Sequence, residues 1–133
     1  MKQTAIAMDM IGNLVMIHVK IWNKKTGKLN PVYLTFDTGA SITTLSKDIL
    51  HQAGYDVLSG NINRITTASG IEFVREVQLD KLALGDIILD DVTTYAHTFP
   101  QESFSLGVIG LNVLQHFDIE LLFSQRIIRL TQF

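Results

Sequence analysis

The sequence contains no cysteine, only two prolines and one tryptophan, and no long uninterrupted run of apolar residues. Without cysteine there is neither a disulfide framework nor a thiolate metal site, and the chain is compatible with a reducing compartment. No run approaches the ~18 apolar residues of a membrane-spanning helix. Residues 1–9 carry one lysine and an apolar stretch broken by Asp9, which is too short and too polar to be expected to act as a secretory signal. A soluble cytoplasmic protein is the expectation. Charge of one sign is also scarce: 11 Lys and Arg against 13 Asp and Glu leave a formal net charge of −2. That balance gives no electrostatic footprint for nucleic acid, so neither nucleic acid nor membrane is expected as a partner. The one basic cluster, Lys24, Lys25 and Lys28, reads as a solvated hairpin loop. His18, His51, His97 and His116 lack ligand spacing, and no metal or other cofactor is expected. A Gly-x-Ser-x-Gly nucleophile elbow and glycine-rich phosphate loops are missing as well.

What the chain does have is 133 residues, 47% of them hydrophobic. That length predicts one domain over residues 1–133, able to bury roughly two-thirds of the surface of its unfolded chain. The periodicity is that of strands. Val15, Ile17, Val19 and Ile21 alternate with Met16, His18, Lys20 and Trp22. A turn-rich loop over residues 23–30 and a second run opened by Pro31 complete a hairpin that ends at Asp37. Ser46 reads as the N-cap of a short helix with Asp48 in its first turn, Ile49, Leu50 and Ala53 on its apolar face, and Gly54 as its stop. Residues 62–67 and 71–79 form a hairpin tipped by Ala68, Ser69 and Gly70. Residues 81–89 and 92–96 pair through an Asp90-Asp91 turn, residues 97–105 make a loop containing Pro100, and residues 106–116 hold a short helix. A closing hairpin sets residues 117–122 against 126–130.

The most informative stretch is Val32-Tyr33-Leu34-Thr35-Phe36-Asp37-Thr38-Gly39-Ala40-Ser41. Five mostly β-branched or aromatic residues deliver one carboxylate into a Thr-Gly turn at the edge of a core, where an unpaired charge is costly. Something must satisfy it, and catalysis is one reason to bear the cost. A second motif, Val108-Ile109-Gly110 followed by Leu111-Asn112-Val113-Leu114, comes after the turn, the helix, the small-tipped hairpin and the strand pair, and before the closing hairpin.

In that order, Asp37-Thr38-Gly39-Ala40-Ser41 and Val108-Ile109-Gly110 resemble the active-site loop and second signature of the retropepsin-like aspartic proteases, across about residues 15–130. The resemblance implies an all-β, single-lobe acid-protease fold, a closed barrel or sandwich with one or two short helices, functional as a symmetric homodimer. It implies an endopeptidase that hydrolyses peptide bonds with a water activated by two carboxylates. Only one Asp-Thr-Gly is present, so the second Asp37 must come from a second copy. By resemblance, Asp37 carries the chemistry, Thr38 reaches across the axis to the partner's backbone, and Gly39 allows close approach of backbone and substrate. The hairpin tip, Thr67, Ala68, Ser69 and Gly70, closes over a peptide as a flap, with a plain surface turn as the alternative. Ser41 contacts substrate backbone, while Phe99 and Phe104 wall the groove. Ser41 and Leu111 replace the aspartate and arginine that pair ionically in many retroviral relatives, and losing both avoids a stranded buried charge. The expected partners are a second copy and a peptide or protein substrate. Dimer contacts are expected from Ile127, Ile128, Leu130 and Phe133, with added strands from Ala5, Ile6, Ala7 and Met8. The alternatives are a noncatalytic dimerisation or peptide-binding module of the same fold, and a β-barrel small-ligand binder with a chance Asp-Thr-Gly.

Overall fold

The computed structural model describes residues 1–68, 70–99 and 105–133. Its elements are β1 (Lys2–Ala7), β2 (Asp9–Ile11), β3 (Leu14–Asn23), β4 (Lys28–Phe36), β5 (Thr44–Ser46), α1 (Lys47–Gln52), β6 (Ile62–Thr67), β7 (Gly70–Leu84), β8 (Ile87–His97), β9 (Gly107–Ile109), α2 (Leu111–Leu114), β10 (Phe117–Leu122) and β11 (Ile127–Gln132), with a 3₁₀ turn at Phe123–Gln125. The expected all-β fold with short helices is what the chain forms.

Eight strands form one sheet in the order β2-β3-β4-β9-β5-β8-β7-β6, and β3 also pairs with β7 through Lys20 with Ala83 and Ile21 with Leu82. That extra ladder closes β3, β4, β9, β5, β8 and β7 into a ring. A second sheet, β1-β11-β10, packs its Ile6, Phe117, Ile128 and Leu130 into the same core as Ile17, Val19, Leu34, Leu45, Leu79, Leu82 and Ile109. Among the described residues, no helix is long and apolar enough to cross a membrane.

Alternation along β3 follows the pattern read from sequence, with Ile17, Val19 and Ile21 inside and His18 and Lys20 outside. Met16 departs from it. Assigned by alternation to the polar face, it is fully buried, with the Thr35 hydroxyl against its sulfur. The loop expected over residues 23–30 is shorter, because β4 begins at Lys28 and only residues 24–27 turn. Pro31 lies inside β4 opposite Lys20. It is tolerated because β9 pairs only with Thr35 and Phe36, which leaves that side of β4 without a ladder at Pro31. Ser46 caps α1 as expected, its hydroxyl accepting from the Ile49 N–H, and Gly54 follows in a left-handed conformation.

The Asp90-Asp91 turn does not exist. β7 and β8 run past it in register, Leu79 opposite Val92 and Lys81 opposite Asp90, and they reverse instead at Gly85-Asp86. Gly85, with φ +57°, supplies the positive φ that a two-residue hairpin requires. A Cβ there would also collide with the Thr4 hydroxyl, which accepts the Asp86 N–H. Gly85→Ala is therefore expected to lower stability by about 1–2 kcal/mol from left-handed strain alone, and further through the clash, read as a reduced urea midpoint.

The dimer contacts read from sequence also need correction. Ile128 and Leu130 are buried within the chain itself, and β1 pairs with β11 along its whole length, Lys2 to Gln132 through Ala7 to Ile127. The exposed large apolar side chains on and beside this sheet are Leu121 and Phe123 at one end and Met1 and Phe133 at the other.

Candidate active site

β4 is the apolar strand that delivers Asp37, and β5 picks up the chain after the turn. Between them runs β9, parallel to β4 through Thr35–Val108 and Phe36–Ile109, and antiparallel to β5 through Thr44–Val108 and Leu45–Gly107. The second signature thus passes directly behind the Asp37 loop. The Asp37 N–H donates to the Ile109 carbonyl at 3.1 Å, carrying the β4–β9 ladder one step into the turn. The Gly39 N–H donates to Asp37 Oδ1 at 2.9 Å, and the Ala40 N–H to the Asp37 carbonyl at 3.2 Å. Two local bonds therefore fold the turn around its own carboxylate. Asp37 is half-buried, at the rim of the core, while Thr38 and Gly39 are exposed at the tip.

The turn is held from behind by α2. The first N–H groups of a helix lack intrahelical acceptors. Here Leu111 N–H donates to the Ala40 carbonyl at 2.8 Å and Asn112 N–H to the Ser41 carbonyl at 3.1 Å. Gly110 makes this approach possible, since a Cβ there would stand 2.8 Å from the Ala40 oxygen and 3.1 Å from the Ile42 oxygen.

A polar network that the sequence reading missed completes the support. Asn112 Oδ1 accepts from the Thr43 N–H at 2.8 Å and the Thr43 hydroxyl at 2.9 Å, and Asn112 Nδ2 donates to the Thr93 carbonyl at 2.7 Å. The Thr43 oxygen in turn accepts the Gly110 N–H at 3.0 Å. Thr43 is fully buried, so every one of its polar groups needs a partner. The available signal was Asn112 itself, one amide in the otherwise apolar run Leu111-Asn112-Val113-Leu114.

The turn that carries Asp37, Thr38 and Gly39 lies against the 108–110 segment. Ser41 is exposed beside them, its carbonyl engaged by α2. Leu111, at the place of the arginine in many relatives, is 42% exposed, so the exchange strands no buried charge. The hairpin expected over the site is β6 with β7, closed by the Thr67–Gly70 pair, with Ala68 exposed at its turn. Ser69 and Phe104 lie outside the described residues, as does Pro100 in the expected loop. Phe99 meets His97 edge-on, ring centroids 5.4 Å apart, and His97 Nε2 stands 3.3 Å from Glu72 Oε2 on β7. That pair links the hairpin arm to the end of β8. A groove of about 530 Å³ lies elsewhere, between Ile42, Thr93, Asn112, Val113 and His116 and the Asp90-Asp91 edge. The Asp37 turn does not line it.

Residues 17–113 match the protein family described as aspartyl protease. No curated protein matches the chain. Among solved structures, a retropepsin-like aspartic protease from Rickettsia conorii is similar over 97% of this chain and 89% of that one, with 16% identity and a TM-score of 0.70. At that identity the likeness is one of fold, and the fold is retropepsin-like.

Proposed function

The chain belongs to the aspartyl protease family, and from that premise we propose that two copies form a symmetric homodimeric endopeptidase whose dyad is Asp37 from each subunit. The observation that carries the reading is the Asp37 turn: a half-buried carboxylate on a tip braced from behind by β9 and α2, present once per chain. Residues 1–133 act as one domain, and each contributes half a site.

Two carboxylates facing each other across the axis share one proton, because like charges at that separation do not both ionise. The ionised Asp37 takes a proton from a water as its oxygen attacks the carbonyl carbon of the substrate. The protonated Asp37 donates a hydrogen bond to the carbonyl oxygen. That proton passes to the oxygen to complete a tetrahedral diol; as the diol collapses, one hydroxyl returns a proton to the second Asp37, the carbon–nitrogen bond breaks, and the leaving nitrogen takes the proton that the first Asp37 removed from water, which restores the singly protonated pair. Gly39 spends its N–H on Asp37 Oδ1, which orients the carboxylate and leaves the second oxygen for the shared proton and the water. Thr38, whose hydroxyl has no partner among the described residues, reaches the partner's turn. The β6–β7 hairpin, with Thr67, Ala68, Ser69 and Gly70 at its tip, covers the peptide and excludes water, and Ser41, Phe99 and Phe104 border the groove.

The test is cleavage of a diverse peptide library, read by mass spectrometry from acid to neutral pH, beside sedimentation of the same sample. Specific cuts from a dimeric protein are the expected result. A monomer that cleaves at full rate would overturn the shared dyad. Gly39 gives a second check. A Cβ there would stand 3.1 Å from Asp37 Oδ1, so the branched side chain of Gly39→Val displaces the carboxylate. A displacement of that kind is expected to lower kcat/KM by on the order of 100-fold or more.

A further inference from the structure

We propose that His97 is a positioning residue for the reaction: protonated, it clamps the covering hairpin to the groove wall through the Glu72 carboxylate, and neutral, it lets the hairpin go. The inference rests on the protease reading above and adds to it how the hairpin that covers the peptide is held.

The hairpin needs such a hold. β8 pairs with β7 from Arg75 to Leu84 and β6 pairs with β7 alone, so past Arg75 neither arm has a ladder to the rest of the fold. Side chains must fix the arm there, and its two faces offer unequal purchase. By cross-strand pairing, one face carries Ile71 and Phe73 with Thr66 and Arg64, and on it Ile71 is 60% and Phe73 71% exposed. Glu72 and Val74 alternate to the other face. There Val74 is buried, and His97, the residue after Ala96 opposite Arg75, comes alongside. Glu72 Oε2 is buried and accepts no hydrogen bond among the described residues. His97 Nε2 stands 3.3 Å from it. His97 also meets the Phe99 ring edge-on at 5.4 Å, so the contact runs from the hairpin to the segment that borders the groove.

The charge on the imidazole decides whether that oxygen is satisfied. A buried carboxylate oxygen without a donor is costly. Neutral imidazole has one N–H to place, whereas imidazolium donates from both nitrogens, so Nε2 always carries a proton when His97 is charged. The bond it then makes is charge-assisted. Protons reach the pair from solvent, since the side chains of His97 and Glu72 are 32% and 36% exposed. The surroundings leave Glu72 to His97. Glu76, the other carboxylate of this face, accepts from Asn63 Nδ2 at 2.8 Å and lies opposite Tyr95. β6 brings Asn63 and Ile65, which do not titrate, and β5 sets Ser46 opposite His97. The cations of the neighbouring elements are placed elsewhere: Arg64 pairs across from Phe73 on the far face, Arg75 donates to the Gly60 carbonyl at 2.9 Å, and Lys47 lines a small groove with Arg75 and Ala96. Histidine is the side chain that ordinarily changes charge between about pH 5 and 8, so the clamp closes toward acid and opens as the pH rises through that range.

The experiment uses the full chain with His97→Leu, His97→Gln, Glu72→Gln and the double variant of His97→Leu with Glu72→Gln, each set beside the native chain at the same pH, from about 5 to 8. Hydrogen exchange of residues 62–75 needs no substrate, and comparison at equal pH cancels the intrinsic exchange rate. His97→Leu is expected to exchange on the order of tenfold faster than the native chain at the acid end and at the native rate at the alkaline end. With a peptide found by library cleavage, KM is expected to rise by the same factor at the acid end while kcat changes less, and the ratio of variant to native removes the titration of the dyad itself. His97→Gln places a neutral amide donor at the same point and is expected to restore protection without the pH dependence. Glu72→Gln and the double variant are expected to match His97→Leu, because the two side chains act as one unit. Native protection in His97→Leu, or a loss that is equal at both ends of the range, would overturn the clamp while leaving the protease reading standing. Additive losses in the double variant would separate Glu72 from His97 and overturn it as well. Exchange that follows the expected pattern in a native chain that cleaves nothing would uphold the clamp and overturn the protease reading instead.

Discussion

Replacing Asp37 by asparagine is expected to abolish peptide cleavage, by on the order of 10⁴-fold or more, because it removes the proton acceptor and the proton donor of the same reaction at once. The fold is expected to survive. Asn is isosteric with Asp, and its Oδ1 still accepts the Gly39 N–H that closes the turn. Asp37 is half-buried and forms no ion pair among the described residues, so no charge is left stranded by the change. The dimer is expected to hold, since two neutral amides facing each other bring no charge repulsion to the axis. The measurement is mass-spectrometric cleavage of a peptide library by native chain and variant over acid to neutral pH, with sedimentation alongside. Subunit mixing sharpens it: if a site needs both carboxylates, activity falls with the square of the native fraction as variant is added at constant total protein. A rate that stays above the native fraction would mean that one Asp37 per dimer suffices, and an unaltered rate in the pure variant would remove Asp37 from the chemistry.

How far such a site could be read in advance depended on how local its causes were. Asp37, Thr38 and Gly39 stand out, since an apolar strand running into Asp-Thr-Gly places the carboxylate on a turn at the end of β4. The Ser46 cap and the Gly54 stop were equally local, and so was the β6–β7 hairpin with its small-residue tip. The errors came where tertiary context overrode a local signal. Asp90-Asp91 has turn composition, yet Gly85 holds the positive φ and the tighter reversal, and the strand carries the two aspartates through with Asp91 itself at φ +52°. β5 and β9, three residues each, are too short for any periodicity to show. They exist because β9 is threaded between β4 and β5 with ladders on both sides. Ile128 and Leu130 looked like interface residues because a closing hairpin at the chain end suggests exposure, but β1 folds back over the same sheet and the core takes them.

The network behind the turn was the least legible part, and it carries the second large expectation. Asn112→Ala is expected to destabilise the protein by about 2–5 kcal/mol, because the Thr43 N–H and the Thr93 carbonyl each lose their side-chain partner. Thr43 is fully buried, so its N–H depends on the acceptor that Asn112 supplies. Against a total stability of about 5–15 kcal/mol for a domain, that is a large fraction. The damage is also expected to reach the chemistry. Thr43, Gly110 and Asn112 form one bonded unit, and through the Leu111 and Asn112 amides the same unit fixes the Ala40 and Ser41 carbonyls that follow Asp37. Loosening it lets the carboxylate drift from the axis, so kcat should fall more than KM rises. Asn112→Asp separates the two roles of the side chain. It keeps the acceptor for Thr43 but turns a carboxylate toward the Thr93 carbonyl, which can no longer be bonded. Urea denaturation and kcat against KM, measured for both variants, decide the matter. A loss of stability in both with kcat unchanged at temperatures where they are folded would make Asn112 a purely structural tie. A fall in kcat for both, in protein shown to be folded and dimeric, would mean that the second signature works by holding the catalytic turn still.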